Sequence, residues 1–125
     1  MKKLIHTDHA PKALGPYSQA VLDGDTLFLS GQIGIEAETG KFVEGGVEAQ
    51  THRVLKNIAA VLEAAAMGME NIVKTTIYLA SMEDFQKVNE IYSRYFVKNP
   101  PARATVEVAR LPLGALVEIE AIARK

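Results

Sequence analysis

The chain has 125 residues, no cysteine, and 14 lysines and arginines against 15 aspartates and glutamates, a net charge of −1. A chain of this size forms one domain that removes roughly two-thirds of its unfolded surface from water, and its near-zero charge supplies no bulk positive field to hold a polyanion. The missing cysteine excludes disulfides, thiolate metal sites and thiol nucleophiles together.

The N-terminal stretch MKKLIHTDHAPKALGPYSQ has two lysines but no continuous apolar run, because His6, Thr7, Asp8 and His9 interrupt it. No later window approaches a membrane span, so a soluble cytoplasmic protein is expected. YSQAVL and TLFLSG flank Asp23-Gly24-Asp25. Asp-Gly between β-prone runs predicts a hairpin, with strands near Tyr17 to Leu22 and Thr26 to Ser30. Gly31, Gly34 and Gly40 make the next stretch irregular until Gly45-Gly46 opens a long helix. From Val47 to Ala66, one apolar stripe recurs at three and four through Val54, Leu55, Ile58 and Leu62, and Gly68 suits the C-terminal cap.

IVKTTIYLA, Ile72 to Ala80, is β-branched and predicts a strand. Ser81 is placed to cap a second helix with the stripe Phe85, Val88, Tyr92, Tyr95 and Phe96, which Pro100-Pro101 stops. In PPARATVEVARLP the run from Ala104 to Ala109 alternates, with Val106 and Val108 on one face and Arg103, Thr105 and Glu107 on the other, so Arg103 is expected to point away from the apolar side. LVEIEAIA, Leu116 to Ala123, alternates likewise, with Glu118 and Glu120 opposite Val117, Ile119 and Ala121. The order predicts a single α+β domain over residues 1–125, a five-stranded sheet with both helices on one face. Arg103, Thr105, Glu107, Glu118 and Glu120 would share the other, which either faces water or packs on another subunit.

Arg103 is the first candidate for chemistry, because its planar fork matches a carboxylate through two parallel hydrogen bonds; the bland alternative is a surface pair with Glu107. Glu118 and Glu120 have the chemistry of a general base, and equally of solvated strand residues. Asn89 lies on or beside the apolar stripe of the second helix and needs a partner, either a backbone group of the neighbouring strand or a ligand. Ser30-Gly31 permits a close backbone approach, but no histidine and aspartate stand at triad spacing, and Tyr17 fits packing at a strand start. His6, His9 and His52 form no metal-ligand pattern, and no nucleotide motif is present, so neither metal nor cofactor is expected.

Taken together, GPYSQA, LFLSGQI, the stretch from VLKNIAAVLEAAAMGMENIVKTTIYLA to SMEDFQKVNEIYSRYF, PPARATVEVARLP and VEIEAIA closely resemble the Rid family, the reactive intermediate deaminases also called YjgF. The resemblance spans essentially the whole chain and is most specific in the last two blocks. It implies a chorismate-mutase-like fold, a homotrimer with sheets inside and helices outside, and clefts between subunits. The implied activity is cofactor-free hydrolysis of 2-iminoalkanoates such as 2-iminobutanoate and 2-iminopropanoate, which pyridoxal-phosphate enzymes release, to 2-oxo acids and ammonia. On this resemblance Arg103 matches the arginine that binds the substrate carboxylate, and Glu118 the glutamate associated with the catalytic water. The backbone carbonyl of Thr105 helps polarise that water, and Tyr17, Ser30, Gly31 and Asn89 line the cleft. Thr105 stands where many members have cysteine, which leaves the backbone role intact and excludes a thiol mechanism. The LPLGA loop lacks the more usual charged pair, with an effect expected only on surface properties. Two other functions remain in view: a metabolite-binding protein on the same scaffold, and a ribonuclease or translation inhibitor, against which the charge balance argues.

Overall fold

The computed structural model describes residues 1–125. Six strands and two α-helices follow the order β1 (Lys2–Ile5), β2 (Ala20–Asp23), β3 (Thr26–Ile33), α1 (Gly46–Ala64), β4 (Ile72–Leu79), α2 (Phe85–Tyr95), β5 (Ala102–Glu107) and β6 (Val117–Arg124). They form one mixed sheet in the order β1-β2-β3-β6-β4-β5, in which only β4 and β5 run parallel, joined by the crossover helix α2. The sheet therefore has six strands and not the expected five: β1 was not anticipated, because Lys-Lys-Leu-Ile buries only Ile5.

The β2–β3 hairpin forms as expected, closed by Gly24-Asp25, with a positive φ at Gly24 and pairing from Asp23↔Thr26 onward. Its first strand begins only at Ala20, which leaves Tyr17 in the preceding bend, and β3 continues past Ser30 to Ile33. Helix α1 starts on two left-handed glycines, Gly45 as its N-cap and Gly46 as its first residue. It ends at Ala64, and Ala66 rather than Gly68 takes the left-handed capping position: Ala66 has φ 58°, and Met67 N–H and Ala66 N–H reach back to the carbonyls of Leu62 and Glu63. Ser81 caps a 3₁₀ turn, Met82–Asp84, that leads into α2, its hydroxyl accepting from Glu83 N–H.

Both helices cover one face of the sheet. Val54, Leu55, Ile58, Val61 and Leu62 of α1, with Val88, Ile91 and Tyr92 of α2, pack on Leu27, Ile77, Leu79, Val117 and Ile119. Asn57, fully buried in α1, donates to the carbonyls of Ile33 and Ile35 and accepts from Arg53, tying the end of β3 to the helix. The opposite face is open, and the register aligns Leu4, Val21, Phe28 and Ile122 in a row across four strands. No helix is long and apolar enough to cross a membrane.

The strand faces require one correction. In β5, Arg103, Thr105 and Glu107 pair with Thr75, Ile77 and Leu79 of β4, whose side chains are buried beneath the helices. Directly paired residues project to the same side, so Arg103 lies on the helix-covered face, while Val106 turns to the open one. Glu118 and Glu120, paired with Tyr78 and Thr76, occupy the open face as expected. The five polar residues thus divide between the two sides of the sheet.

Candidate active site

Arg103 is the second residue of β5, separated from Pro100-Pro101 only by Ala102, and α2 builds its surroundings. Its guanidinium carbon lies 5.1 Å from the centroid of the Tyr92 ring and 5.6 Å from that of Phe85. It donates to Asn89 Oδ1 at 2.7 Å. Residues 85, 89 and 92 are spaced at four and three, so one helical face presents both rings and the amide together. Asn89 therefore meets the Arg103 side chain and not a strand backbone. Glu107, the alternative partner of Arg103, instead accepts from Met82 N–H at 2.8 Å. The salt bridges of the chain are His6–Asp8 and Glu90–Arg94, so the exposed guanidinium is held without a carboxylate. A cavity of about 400 Å³ opens beside it, lined by Asn89, Tyr92, Ser93, Phe96 and the two prolines.

Tyr92 is itself fixed: its hydroxyl and that of Thr75 lie 2.7 Å apart. Burial pushes its phenol pKa up, against the lowering effects of the Thr75 hydrogen bond and the Arg103 charge. The phenol stays neutral, as a ring face for a cation requires. Thr105 lies two residues beyond Arg103 on the same face, and its buried hydroxyl has no hydrogen-bond partner.

The second group lies on the other side of the sheet, around a β-bulge. In β3, Leu29 pairs with Ala121 and Gln32 with Ile119, so Ser30 and Gly31 together oppose Glu120. Bulges re-aim side chains beside functional sites. The Ser30 hydroxyl donates to the Ser18 carbonyl at 2.6 Å, and Ser30 N–H to the Gln19 carbonyl at 3.0 Å, so the bulge is strapped to the segment carrying Tyr17. Gly31 leaves room for Glu118: a Cβ at Gly31 would sit 2.9 Å from the carboxyl carbon and collide with Oε2. Burial, and then the Glu120 charge, raise the Glu118 pKa above the ordinary 4.5, which moves a carboxylate toward the range in which it exchanges protons near neutrality.

Tyr17 and Gly31 line a larger cavity of about 630 Å³. Its wall is held by Gln19, buried to 3% exposure. The Gln19 amide accepts from Thr7 N–H at 2.7 Å and donates to the carbonyls of Thr7 and Pro11 at 3.0 and 2.8 Å. Gln19 had not been singled out from the sequence; the signal was a polar amide adjoining the first strand of the hairpin, where burial demands partners.

Within one chain the candidate residues thus form two separate groups, Arg103 with Asn89 and Thr105 on the helix-covered side, Glu118 with Gly31 on the open side. The pattern of a protein family described as endoribonuclease L-PSP matches residues 7–125. Human 2-iminobutanoate/2-iminopropanoate deaminase is 50% identical over 123 residues, covering 98% of this chain and 90% of that protein. Yersinia pestis YyfA, described as belonging to the conserved Rid protein family, superposes with a TM-score of 0.97 at 51% identity, with 100% of both chains covered. E. coli TdcF with bound serine gives a TM-score of 0.94 at 39% identity, with 98% of each chain covered.

Proposed function

The chain belongs to the L-PSP endoribonuclease family, which is also the Rid family of reactive intermediate deaminases, and from there we propose that it hydrolyses 2-iminobutanoate and 2-iminopropanoate to 2-oxo acids and ammonium. The single observation that carries this reading is a guanidinium stacked by two rings, aimed by Asn89, and left without a carboxylate of its own. A small 2-imino acid supplies that carboxylate and accepts two parallel hydrogen bonds. That the similar TdcF has been solved with bound serine, a small molecule with a carboxylate, supports the same reading.

The catalytic side chain comes from the second group. Glu118, with a raised pKa and close to Gly31, takes a proton from a water that the Thr105 carbonyl also orients. The water oxygen bonds to the imine carbon, the proton passes to nitrogen, and collapse of the tetrahedral adduct expels ammonia, which leaves as ammonium. Because iminium ions hydrolyse unaided, orientation and modest proton transfer suffice, without cofactor or metal.

Arg103 and Glu118 lie on opposite faces of one sheet, so one chain does not join them at a single small molecule. The reading therefore takes Arg103, Asn89 and Thr105 from one subunit and Tyr17, Ser30, Gly31 and Glu118 from its neighbour in a cyclic homotrimer. The apolar row from Leu4 to Ile122 on the open face is the surface by which the sheets meet. A cytoplasmic location fits a substrate released by pyridoxal-phosphate enzymes there. The ribonuclease in the family description is not favoured: a net charge of −1 supplies no bulk positive field to hold a polyanion.

The test is 2-oxobutanoate formation while a threonine dehydratase generates the imine in place and semicarbazide competes for it. Wild type accelerates release, whereas Arg103→Ala falls about 10- to 150-fold in kcat/KM, as expected for a hydrogen-bonded charge worth ~1.5–3 kcal/mol. Absence of acceleration by wild type would favour the metabolite-binding alternative; full activity in the variant would refute the role of Arg103.

A further inference from the structure

The cavity of about 630 Å³ is larger than a three- or four-carbon acid needs. Three of its lining residues, from two segments distant in sequence, expose large apolar or aromatic side chains: Leu14 at 84% and Tyr17 at 54% in the stretch before β2, and Leu113 at 77% in the loop before β6. Ile33 adds a fourth, partly buried surface. Exposed leucines are costly in water, and these converge on one concave surface that also contains Gly31, against which the Glu118 carboxylate lies.

Leu113 carries a second signal. It sits in the loop Pro112–Gly114 at φ 56°, ψ 21°, a left-handed conformation that disfavours a γ-branched residue with a Cβ by about 1 kcal/mol. Gly114, at φ 74°, immediately follows it. A strained backbone that holds an exposed leucine over a cavity points to a role for that side chain.

We propose that Leu113 and Leu14 are specificity-determining residues, forming with Tyr17 an apolar subsite that receives the side chain of longer aliphatic or aromatic 2-imino acids. The inference rests on the deaminase reading and deepens it. With the substrate carboxylate on Arg103 and its imine carbon at Glu118, the remaining substituent extends over Gly31 into this cavity. Glu36 and Glu38 on the same lining, against Lys12 as the cation, disfavour a side chain that bears a second carboxylate.

The experiment compares imines made in place by an amino-acid oxidase from alanine, leucine, phenylalanine and glutamate. The imine has lost its stereocentre, so either enantiomer of the amino acid serves as precursor. Turnover is measured against semicarbazide for wild type, Leu113→Asn and Leu14→Ser. Asparagine tolerates the left-handed region, so Leu113→Asn removes the apolar surface while keeping the loop. Wild type is expected to favour the leucine- and phenylalanine-derived imines over the alanine-derived one, and the glutamate-derived imine least. Each variant is expected to lower the leucine-to-alanine ratio of kcat/KM roughly four- to fifteenfold, the contribution of one to two methylene groups in apolar contact. Turnover with that ratio unaltered in both variants would overturn the inference alone. No turnover of any imine by wild type would overturn the deaminase reading, and this inference with it.

Discussion

Replacing Gly31 with alanine separates the chemistry of the site from the stability of the fold. The new Cβ would lie 2.9 Å from Cδ and 3.1 Å from Cγ of Glu118, where carbon contacts settle at about 3.5–4.0 Å. Glu118 must then retreat by at least roughly 0.6 Å, the difference between 2.9 Å and the lower limit of that contact range. What gives way is the end of a flexible side chain, at a cost of about 0.5–1.5 kcal/mol if it leaves its rotamer. Gly31 is not among the glycines with positive φ, so alanine also restricts the unfolded chain and returns ~0.4–1 kcal/mol. The two effects nearly cancel, and Tm should move by no more than about 4 °C. On the proposed role of Glu118 activity responds differently, because displacing a catalytic group by about 1 Å costs on the order of 100-fold. The assay is imine hydrolysis with semicarbazide competition, paired with thermal unfolding. Wild-type kcat/KM in a folded Gly31→Ala protein would refute the role of the Gly31–Glu118 contact, and a loss of more than ~3 kcal/mol of stability would refute the claim that only a side chain moves.

Mixing tests the division of the site between subunits. Arg103→Ala and Glu118→Gln, each strongly impaired alone, should recover about one quarter of wild-type activity after unfolding and reassembly in equal amounts. At random assembly half of the Arg103 sides and half of the Glu118 sides are intact at each cleft; no recovery in confirmed mixed oligomers would place the site within one chain. The Glu118 carboxyl is raised above 4.5, first by burial and then by Glu120, so the folded chain holds that proton more tightly than the unfolded chain. Its contribution to stability is full below 4.5 and is lost as pH rises through the raised value. Glu118→Gln should therefore be more stable than wild type at neutral pH, with the advantage vanishing in acid, while wild-type kcat/KM climbs as pH rises through the same value. A pH-independent stability difference would contradict the shift. Thr105→Val removes a buried hydroxyl that has no partner; denaturant unfolding should show it neutral or up to ~1 kcal/mol more stable. Because the proposed role of residue 105 belongs to its carbonyl, kcat/KM should stay within about threefold, and a larger loss would assign the hydroxyl a part in catalysis.

Periodicity made the main elements legible. The stripe of α1, the β-branched run of β4 and the Asp-Gly turn each stand in the chain where their local chemistry places them. Ends were less legible: α1 closes on Ala66 because Met67 N–H and the Leu62 carbonyl complete its cap, and nothing about alanine announces that. Arg103 and Glu118 were both visible as candidates, whereas Gln19 and Leu113 were not. Their surroundings are set by the fold and not by the local pattern: Gln19 bonds to the Thr7 to Pro11 stretch, and Leu113 shares a cavity with Leu14 and Tyr17.

The face occupied by Arg103 marks the boundary between the two kinds of information. Alternation along β5 correctly separates Arg103, Thr105 and Glu107 from Val106, and that separation is a local property of extended backbone. Which set turns inward is not local. In a central strand, burial enforces the choice, as Val117, Ile119 and Ala121 show in β6. In the edge strand β5, Val106 remains 42% exposed, and little apolar area depends on the outcome. Pairing with β4 decides it, setting Arg103 beside Thr75 and beneath Phe85, Asn89 and Tyr92. The amino-acid sequence by itself determined the elements, their order and the chemistry available at each. Only the tertiary structure decided which of those groups meet, because strand register and helix packing bring together residues that no local pattern relates.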